Sequence, residues 1–507
     1  MNSRITEQLR NMELQKKIVS AAEAASWIED GMTLGLSGFT RAGDAKAVPM
    51  ALVDKAKDGP FKVNVYTGAS LGSDIDKLMA EAGIIHKRLP FQADSSMRRK
   101  INEQELLFTD QHLSHVAEMV RSEVLNPIDF AIIEAVAITE EGEIIPSTSV
   151  GNSTIFLEKA NSVIIELNLA QPAALEGMHD IYEPGEQGKR LPIALTSVDG
   201  HIGSTGMKVD LEKIKGIVLT NDLDSPSTIV PPDEDTATMA NHLIEFLREE
   251  IRAGRLTNQL APLQSGIGSV ANAVLHGLLD SEFEELEVYS EVLQDAVFDL
   301  LDSGKVRFAS GCSITLSQEK MQTVFPKLDQ YKDQLVLRPQ EISNHPEVIR
   351  RLGLISINTA LEADIYGNVN STHVCGTKMM NGIGGSGDFA RNSRLAIFVT
   401  KSVAKNGDIS SIVPFVSHVD HTEHDVDVLV TEQGYADLRG LAPVERARLI
   451  IENCMHPLYK EQMTAYFEEA LARGGQTPHV LEKAFSWHLS YAETGTMLQS
   501  EPASLRK

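Results

Sequence analysis

The side chain with the clearest chemical potential in this 507-residue sequence is Glu291. It follows the short stretch Glu287–Tyr289, which the residue pattern predicts to be a strand, and open α/β sheets bind ligands beyond the carboxyl ends of their strands. Removing a carboxylate from water is costly, so a glutamate buried there needs a chemical reason. A partly buried carboxylate can act as general base, metal ligand or covalent nucleophile; a solvated strand-end carboxylate would do none of these.

Two glycine-rich segments offer backbone N–H groups to an anion. Gly382–Gly387 has the form G-x-G-x-x-G, but no strand precedes it and no long helix with a following acid is predicted after it, so we reject a dinucleotide fingerprint. Its glycines either let N–H groups approach an oxyanion or a phosphate, or form an ordinary loop. Ser265–Val270 opens an apolar helix, whose N-terminus attracts anions through its dipole and free N–H groups.

Three histidines, His418, His421 and His424, suggest a metal site at first sight. A strand is predicted to begin at Val426, however, and the spacing matches no known zinc motif. We therefore expect hydrogen-bonded structural histidines and no metal. Glu432 follows this strand and is a second candidate carboxylate, with a simple loop acid as the alternative.

Four basic residues lie just after the glycine-rich loop in an otherwise acidic chain: Arg391, Arg394, Lys401 and Lys405. Such a cluster binds phosphates or is ordinary solvated surface charge. Over the whole chain, 46 Lys and Arg face 71 Asp and Glu, which gives a net charge of −25. This charge repels nucleic acid and anionic lipid, so neither a nucleic acid nor a membrane is an expected partner.

The lack of a predicted secretory or membrane segment and the pattern of cysteines lead us to expect a cytoplasmic protein. The first residues contain no apolar stretch typical of a secretory signal, and no run reaches the roughly 18 apolar residues of a transmembrane helix. The three cysteines, Cys312, Cys375 and Cys454, are far apart and odd in number. That pattern excludes a disulfide framework and is typical of a reducing compartment.

These candidate groups must be positioned by an α/β fold. Short β-branched segments alternate with amphipathic ones, which predicts strands and helices around mainly parallel sheets. The predicted strands are Phe61–Tyr66, Ser162–Glu166, Glu287–Tyr289 and Arg394–Thr400, and the predicted helices include Ala47–Ala56 and Asp235–Ala253. Asp222–Asp233, rich in Pro, Ser and Asp, is the most linker-like segment. We therefore expect two domains, residues 1–225 and 226–507.

The two halves also look related by duplication, since several short segments match at similar offsets. Gly68 of the first half corresponds to Glu291 of the second. The second half also carries six additional residues in Met380–Asp388. If both halves share one fold, the chemistry is expected where they differ, in the second half.

Together, six ordered motifs carry a resemblance to a known family. They are Ser37–Gly43, Ser265–Val270, Tyr289–Asp295, Ile365–Ser371, Asn381–Arg391 and Thr431–Gly434. In these motifs the sequence resembles the acetyl-CoA hydrolase/transferase family of class I coenzyme A transferases, and within it the succinyl-CoA:acetate CoA-transferases. The resemblance implies two tandem open α/β domains of the CoA-transferase (NagB/RpiA-like) type and a homodimer.

The resemblance also implies roles for individual residues. Glu291 matches the glutamate that becomes a glutamyl-CoA thioester, and the backbone N–H groups of Val270 and Gly385 resemble an oxyanion hole. Asn344 and Glu432 match active-site positions, and Ser70 lies where an acceptor carboxylate is bound. The residues that resemble coenzyme A contacts are Gly266, Ile267, Gly268, Ser269, Val270, Asn381, Gly385 and Lys405.

The activity implied is transfer of coenzyme A from a short-chain acyl-CoA to a small carboxylate, with ping-pong kinetics and coenzyme A as substrate rather than as a tightly bound cofactor. Hydrolysis of acetyl-CoA is the alternative, because the two reactions differ only in whether water reaches the intermediate. A non-catalytic acyl-CoA sensor is a third hypothesis. Regulators of that kind normally carry a basic DNA-binding module, and none is visible in the sequence.

Overall fold

The structure is a computed structural model that describes residues 2–72, 74–228 and 231–499. Residues 229 and 230 of the predicted linker therefore lie outside the described residues. The helices are α1 (Asn2–Gln8), α2 (Ala21–Ser26), α3 (Ala47–Lys55), α4 (Ile75–Glu81), α5 (Ser95–Asn102), α6 (Leu113–Arg121), α7 (Ser153–Lys159), α8 (Glu234–Arg252), α9 (Ser269–His276), α10 (Asp295–Asp302), α11 (Gln318–Val324), α12 (Gln340–Ser343), α13 (Pro346–Leu352), α14 (Ser386–Asn392), α15 (Pro443–Asn453), α16 (Pro457–Arg473) and α17 (Ser486–Thr494).

The strands are short and alternate with these helices. They are β1 (Ile18–Val19), β2 (Thr33–Leu36), β3 (Val63–Tyr66), β4 (Ile85–Leu89), β5 (Leu107–Phe108), β6 (Phe130–Ile138), β7 (Ile144–Pro146), β8 (Ser162–Asn168), β9 (Ile214–Thr220), β10 (Leu263–Ser265), β11 (Leu286–Tyr289), β12 (Val292–Leu293), β13 (Val306–Gly311), β14 (Ser313–Ile314), β15 (Leu335–Leu337), β16 (Ile355–Thr359), β17 (Glu362–Asp364), β18 (Val369–Asn370), β19 (His373–Val374), β20 (Lys378–Met379), β21 (Leu395–Val399), β22 (Val403–Ala404), β23 (Ile409–Ser410), β24 (Ile412–Val413), β25 (Val428–Thr431) and β26 (Gly434–Asp437).

The chain forms two compact units. The first comprises Met1–Ile229, Glu285–Leu352 and Asn381–Asp388, and the second comprises Val230–Glu284, Gly353–Met380 and Phe389–Lys507. The first change of unit lies close to the predicted boundary between residues 225 and 226. The segment that carries Glu291 belongs to the first unit, so the units are not two contiguous halves. One CoA-transferase domain per half stays a prediction.

In the first unit the main sheet has the strand order β1-β9-β8-β6-β2-β3-β4-β5, and β7 pairs with β6. All neighbours along this order are parallel, and β7 is antiparallel. The central strand Phe130–Ile138 is buried along its whole length. Such continuous burial is typical of a parallel strand covered on both faces.

The later part of the first unit supplies the elements around Glu291. Strands β11, β13 and β15 are parallel neighbours, and β12 and β14 form a second parallel pair. Helix α10 lies between β12 and β13, helix α11 lies between β14 and β15, and helices α12 and α13 follow β15. Because these strands are parallel, their carboxyl ends lie along one edge of the sheet.

In the second unit, β10, β16, β21 and β25 are parallel neighbours in that order, and β26 closes the edge as an antiparallel strand. A smaller sheet has the order β18-β17-β24, and β19-β20 and β22-β23 form two antiparallel pairs. Helices α15 to α17 pack over an apolar core that includes Trp487, Tyr459 and Phe467. The predicted α/β class with mainly parallel sheets is confirmed.

The individual element predictions agree with the structure to within a few residues at each end. Helix α3 spans Ala47–Lys55 and helix α8 spans Glu234–Arg252, where Ala47–Ala56 and Asp235–Ala253 are predicted. Among the helices in the described part of the chain, none is both long and apolar enough to cross a membrane.

Candidate active site

The backbone of Glu291 is fixed where two neighbouring strands end. Strand β11 ends at Tyr289, whose hydroxyl donates to the carbonyl of Ile342 at 2.8 Å. The carbonyl of Glu291 accepts from the backbone N–H groups of Cys312 at 2.7 Å and Ser313 at 3.0 Å, just past β13. Glu291 therefore follows the carboxyl end of a strand, as its sequence position predicts.

Asn344 is held against the Glu291 carboxylate by the one-turn helix α12. The backbone N–H of Gln340 donates to the carbonyl of Gly151 at 2.9 Å, and its side-chain amide donates to the carbonyl of Leu113 at 3.0 Å. Asn344 follows as the last residue of the turn, and its N–H donates to the carbonyl of Gln340. From there the Nδ2 atom of Asn344 donates to Oε1 of Glu291 at 2.7 Å.

Gly385 presents a bare Cα to the same carboxylate. A Cβ atom at this position would overlap Oε1 and Cδ of Glu291 and Nδ2 of Asn344. The loop that carries Gly385 is anchored at Ile383, whose N–H donates to both oxygens of Asp110 at 2.9 and 3.0 Å. Glycine is therefore required here for space, because only a residue without a side chain fits beside the carboxylate.

A second carboxylate, Asp388, lies on the other side of the Asn344 amide. Its Oδ2 atom accepts from Asn344 Nδ2 at 3.3 Å and from the N–H of Ser114 at 3.0 Å, and its Oδ1 atom accepts from the hydroxyl of Ser114 at 2.6 Å. The amide group of Asn344 thus bridges Glu291 and Asp388. Ser114 lies in the first turn of α6, so Asp388 also satisfies N–H groups that a helix leaves free.

Burial shifts the protonation of both carboxyl groups. Glu291 is 7% exposed, and this desolvation raises its pKa to about 7; the hydrogen bond from Asn344 lowers the pKa and the nearby Asp388 charge raises it. Burial likewise raises the pKa of Asp388 to about 7, against the lowering effect of the Ser114 hydrogen bonds. At neutral pH Glu291 is therefore partly the neutral acid and partly a poorly solvated, reactive carboxylate.

The apolar surroundings explain this desolvation. Val292, the residue after Glu291, belongs to a buried cluster with Phe39, Ala69, Phe91, Leu113 and Cys312. The corresponding position of the first half, Gly68, is crowded: a Cβ there would approach the carbonyl oxygen of Gly38 to 2.7 Å. No side chain fits there without movement of the backbone. The duplication that pairs Gly68 with Glu291 stays a prediction.

The structure thus brings together three of the residues predicted for the site: Glu291, Asn344 and Gly385. Asn381 opens the same glycine-rich loop within the first unit and is half-buried. Ser70, the position suggested for an acceptor carboxylate, is also in the first unit and is buried. Gly385 of the segment Gly382–Gly387 lies beside the candidate nucleophile, since an added Cβ there would overlap the Glu291 carboxylate. A role of the N–H groups of this segment in anion binding stays a prediction.

The remaining predicted residues belong to the second unit. Residues 266–268 form the connection from β10 to α9, which begins at Ser269, so Val270 lies in the first turn of an apolar helix, as predicted. Lys405 is exposed in the turn between β22 and β23. Their predicted contacts with coenzyme A stay predictions.

Glu432, also in the second unit, directly follows β25 and accepts a hydrogen bond from the N–H of Ser402 at 2.8 Å. Its other oxygen contacts the Ser402 hydroxyl. Partial burial raises the pKa of Glu432, but hydrogen bonds, among them those from Ser402 and Gln433, together outweigh this effect and hold the pKa below its ordinary value. Glu432 is therefore ionised at neutral pH and fixed by its neighbour, unlike a freely solvated loop acid.

The histidine cluster is engaged in local contacts. His418 lies 3.3 Å from Asp420 and stacks on His373 with ring centroids 3.9 Å apart. His421 packs against the ring of Phe398. Over the residues that the structure describes, no three His, Cys, Asp or Glu side chains are grouped so that they could hold a metal ion.

Sequence reasoning missed Asp388 and Ser114 as members of the site. Asp388 ends the additional segment Met380–Asp388 and was available as a candidate carboxylate for that reason. Ser114 carries no signal, because it is an ordinary helix residue of the first half whose role depends on a contact between distant parts of the chain.

Comparison with known proteins matches the chain to two family profiles. Residues 1–219 match the acetyl-CoA hydrolase/transferase N-terminal domain, and residues 321–467 match the acetyl-CoA hydrolase/transferase C-terminal domain. The sequence is 54% identical to a succinyl-CoA:acetate CoA-transferase of Clostridium kluyveri, over 97% of this chain and 92% of that protein.

A second relative carries a different activity in its name. The chain is 44% identical to an acetyl-CoA hydrolase of Schizosaccharomyces pombe, over 98% of this chain and 99% of that protein. Among solved structures, a 4-hydroxybutyrate CoA-transferase from Porphyromonas gingivalis superposes with a TM-score of 0.62 at 20% identity, over 91% of this chain and 98% of that one. At that identity the superposition speaks for the fold alone.

Proposed function

Because the chain belongs to the acetyl-CoA hydrolase/transferase family, we propose that this enzyme transfers coenzyme A from a short-chain acyl-CoA to a small carboxylate, with Glu291 as the covalent nucleophile. The observation that carries the proposal is the environment of Glu291. Its carboxylate is buried, receives one amide hydrogen bond, and faces the bare Cα of Gly385.

The position of Glu291 favours a nucleophile over the other two uses of a buried carboxylate. A metal ligand needs further ligands, and no such group of side chains is present among the described residues. A general base would activate water or a hydroxyl, whereas in transfer from an acyl-CoA the Glu291 carboxylate can attack the thioester carbonyl directly. A desolvated carboxylate is also a stronger nucleophile than a hydrated one, since it loses no water shell in the attack.

The proposed reaction runs through two kinds of intermediate. An oxygen of ionised Glu291 attacks the thioester carbonyl of the donor, which expels the coenzyme A thiolate and leaves a mixed anhydride. The thiolate then attacks the glutamyl carbonyl, expels the donor acid as its carboxylate, and leaves a glutamyl-CoA thioester. The acceptor carboxylate repeats the two steps in reverse, which regenerates Glu291 and releases the new acyl-CoA with ping-pong kinetics.

The groups around Glu291 suit this sequence. Each attack on the glutamyl carbonyl places negative charge on the oxygen that was Oε1, to which Asn344 Nδ2 already donates at 2.7 Å. A donor aimed in advance at such an oxyanion is worth about 3–4 kcal/mol in comparable sites. The family resemblance further assigns the N–H groups of Gly385 and Val270 to oxyanion stabilisation, and residues 266–270, Asn381 and Lys405 to coenzyme A.

The identities of the acids rest on the relatives. We propose succinyl-CoA as donor and acetate as acceptor, since these are the substrates in the name of the 54% identical relative. The proposed enzyme is a cytoplasmic homodimer that binds coenzyme A only as part of its substrates. Hydrolysis of acetyl-CoA is the second candidate, because the 44% identical relative carries that name.

The test measures acyl-CoA consumption with and without acceptor. Purified protein with succinyl-CoA should convert acetate to acetyl-CoA, and consumption of succinyl-CoA should nearly stop when acetate is left out. A rate that does not depend on any added carboxylate would favour the hydrolase. Stoichiometric binding of acyl-CoA without turnover would instead identify a sensor, and transfer by the Glu291→Gln variant at the wild-type rate would refute the proposed nucleophile.

A further inference from the structure

The Asn344 carboxamide must keep one of its two orientations for the proposed chemistry. A carboxamide carries an acceptor oxygen and a donor NH₂ group, and a rotation of about 180° about its terminal bond exchanges them. Only the orientation found here directs an N–H at Oε1 of Glu291. In the other orientation an oxygen lone pair would face the developing oxyanion and oppose the reaction.

Glu291 itself cannot hold this orientation throughout the reaction. As a carboxylate it attracts the NH₂ group strongly, but in the mixed anhydride and in the thioester its oxygen is a weaker, uncharged acceptor. The orienting interaction therefore weakens just before the glutamyl carbonyl is attacked. A second acceptor that does not take part in covalent chemistry would keep the amide in place.

Asp388 is placed to be that acceptor. Its Oδ2 atom accepts from Asn344 Nδ2 at 3.3 Å, so the NH₂ group has an acceptor on each side. Asp388 is in turn fixed by Ser114, which donates to it from its backbone N–H at 3.0 Å and from its hydroxyl at 2.6 Å. Both Asp388 and Asn344 are buried, which limits competition from water for these hydrogen bonds.

We propose that Asp388 is a positioning residue that, held by Ser114, fixes the Asn344 carboxamide with its N–H directed at Glu291 throughout the reaction. This inference rests on the proposed function, since it assigns to Asp388 a role in the covalent chemistry of Glu291. It also accounts for the carboxylate that ends the segment Met380–Asp388, to which the family resemblance assigns no role.

The test is a double-mutant cycle between positions 388 and 344. Asp388→Asn keeps the shape of the side chain but replaces an oxygen by an NH₂ group. If Oδ2 is replaced, Asn344 and the N–H of Ser114 both lose their acceptor; if Oδ1 is replaced, the Ser114 hydroxyl loses its acceptor. We expect kcat for transfer from succinyl-CoA to acetate to fall about tenfold, with KM for both substrates unchanged within twofold, as for a partly lost oxyanion donor. In the Asn344→Ala background the same change should have almost no effect on kcat, because the group that Asp388 positions is gone.

Ser114→Ala is the second variant, needed because Asp388 also satisfies the first turn of α6 and its replacement could unfold the protein. We expect a smaller loss of kcat, which again vanishes in the Asn344→Ala background. Ser343→Ala is the matched control: its hydroxyl is buried next to Asn344 and has no hydrogen-bond partner among the described residues, so activity should not change.

Circular dichroism and thermal melting establish that each variant is folded before its kinetics are compared. Equal fold-losses for Asp388→Asn, or for Ser114→Ala if the former does not fold, in the presence and absence of Asn344 would overturn the inference. Wild-type kcat in these variants would also overturn it while leaving the proposed function intact. Full activity of Glu291→Gln would instead overturn the proposed function.

Discussion

A methyl group added at Gly385 should disable the proposed nucleophile while leaving most of the fold intact. The Cβ of alanine would lie about 1 Å inside the 3.0 Å limit that Cβ atoms observe against Oε1 of Glu291, and about 0.6 Å inside it against Nδ2 of Asn344. The backbone at Gly385 has no positive φ, so alanine adds no strain of its own there. The clash must be relieved by displacing the Glu291 carboxylate, the Asn344 amide, or both.

The size of the effect follows from that displacement. A shift of about 1 Å in a reacting group costs about 100-fold in rate, or roughly 2.7 kcal/mol in the barrier. Overpacking by one methyl group costs about 1–3 kcal/mol of folding stability, which a protein of this size tolerates. We therefore expect Gly385→Ala to lose at least about 100-fold in kcat and to remain folded.

The assay is steady-state transfer from succinyl-CoA to acetate, with circular dichroism and thermal melting on the same samples. Gly59→Ala is the matched control, since Gly59 is exposed and a Cβ there meets no described atom within 4 Å. That control should keep the wild-type rate. If Gly385→Ala is folded and as active as the control, Gly385 does not abut a working nucleophile and the assignment of Glu291 is wrong.

Two further predictions concern the charge of Glu291. The attacking form of Glu291 is the carboxylate, and its pKa is raised to about 7, so kcat/KM should rise with pH and level off above about pH 7. The titratable neighbours of Glu291 are Asp388 and Cys312. A profile that is flat from pH 5 to 8 would contradict the raised pKa. At pH 8 the Glu291→Gln variant should melt at a higher temperature than the wild type and be more stable by up to about 3 kcal/mol, because the pKa of Glu291 in the folded wild type exceeds its unfolded value. Below the unfolded pKa both states are protonated, so this advantage should be absent at pH 4 and grow as the pH rises towards 7; an equal melting difference at both pH values would refute it.

Local elements were predictable because their causes are local. Short β-branched runs gave the strands that end next to the candidate groups, and the small residues of Ser265–Val270 gave the start of α9. The position of Glu291 past a strand followed from the pattern as well. These features depend on side-chain periodicity and on turn residues within a few positions of one another.

The composition of the two units was not predictable in this way. One boundary inferred from composition splits the chain into two contiguous segments. In the structure, however, residues 285–352 and 381–388 belong to the first unit although they lie beyond that boundary. Similarly, the family resemblance named Asn344 and Gly385 but not Asp388, because the bridge from Ser114 to Glu291 exists only when four distant segments meet. The crowding at Gly68 and Gly385 is also a tertiary property, since a glycine in a sequence does not reveal which atoms would touch its missing side chain.

The most direct test of the central claim is the intact mass of the protein after mixing with succinyl-CoA in the absence of an acceptor. We predict a mass increase equal to coenzyme A less one water, located by peptide mapping on the segment that contains Glu291 and lost on addition of acetate. The Glu291→Gln variant should show no such adduct. An unmodified protein that nevertheless transfers coenzyme A, or an adduct on another residue, would contradict it.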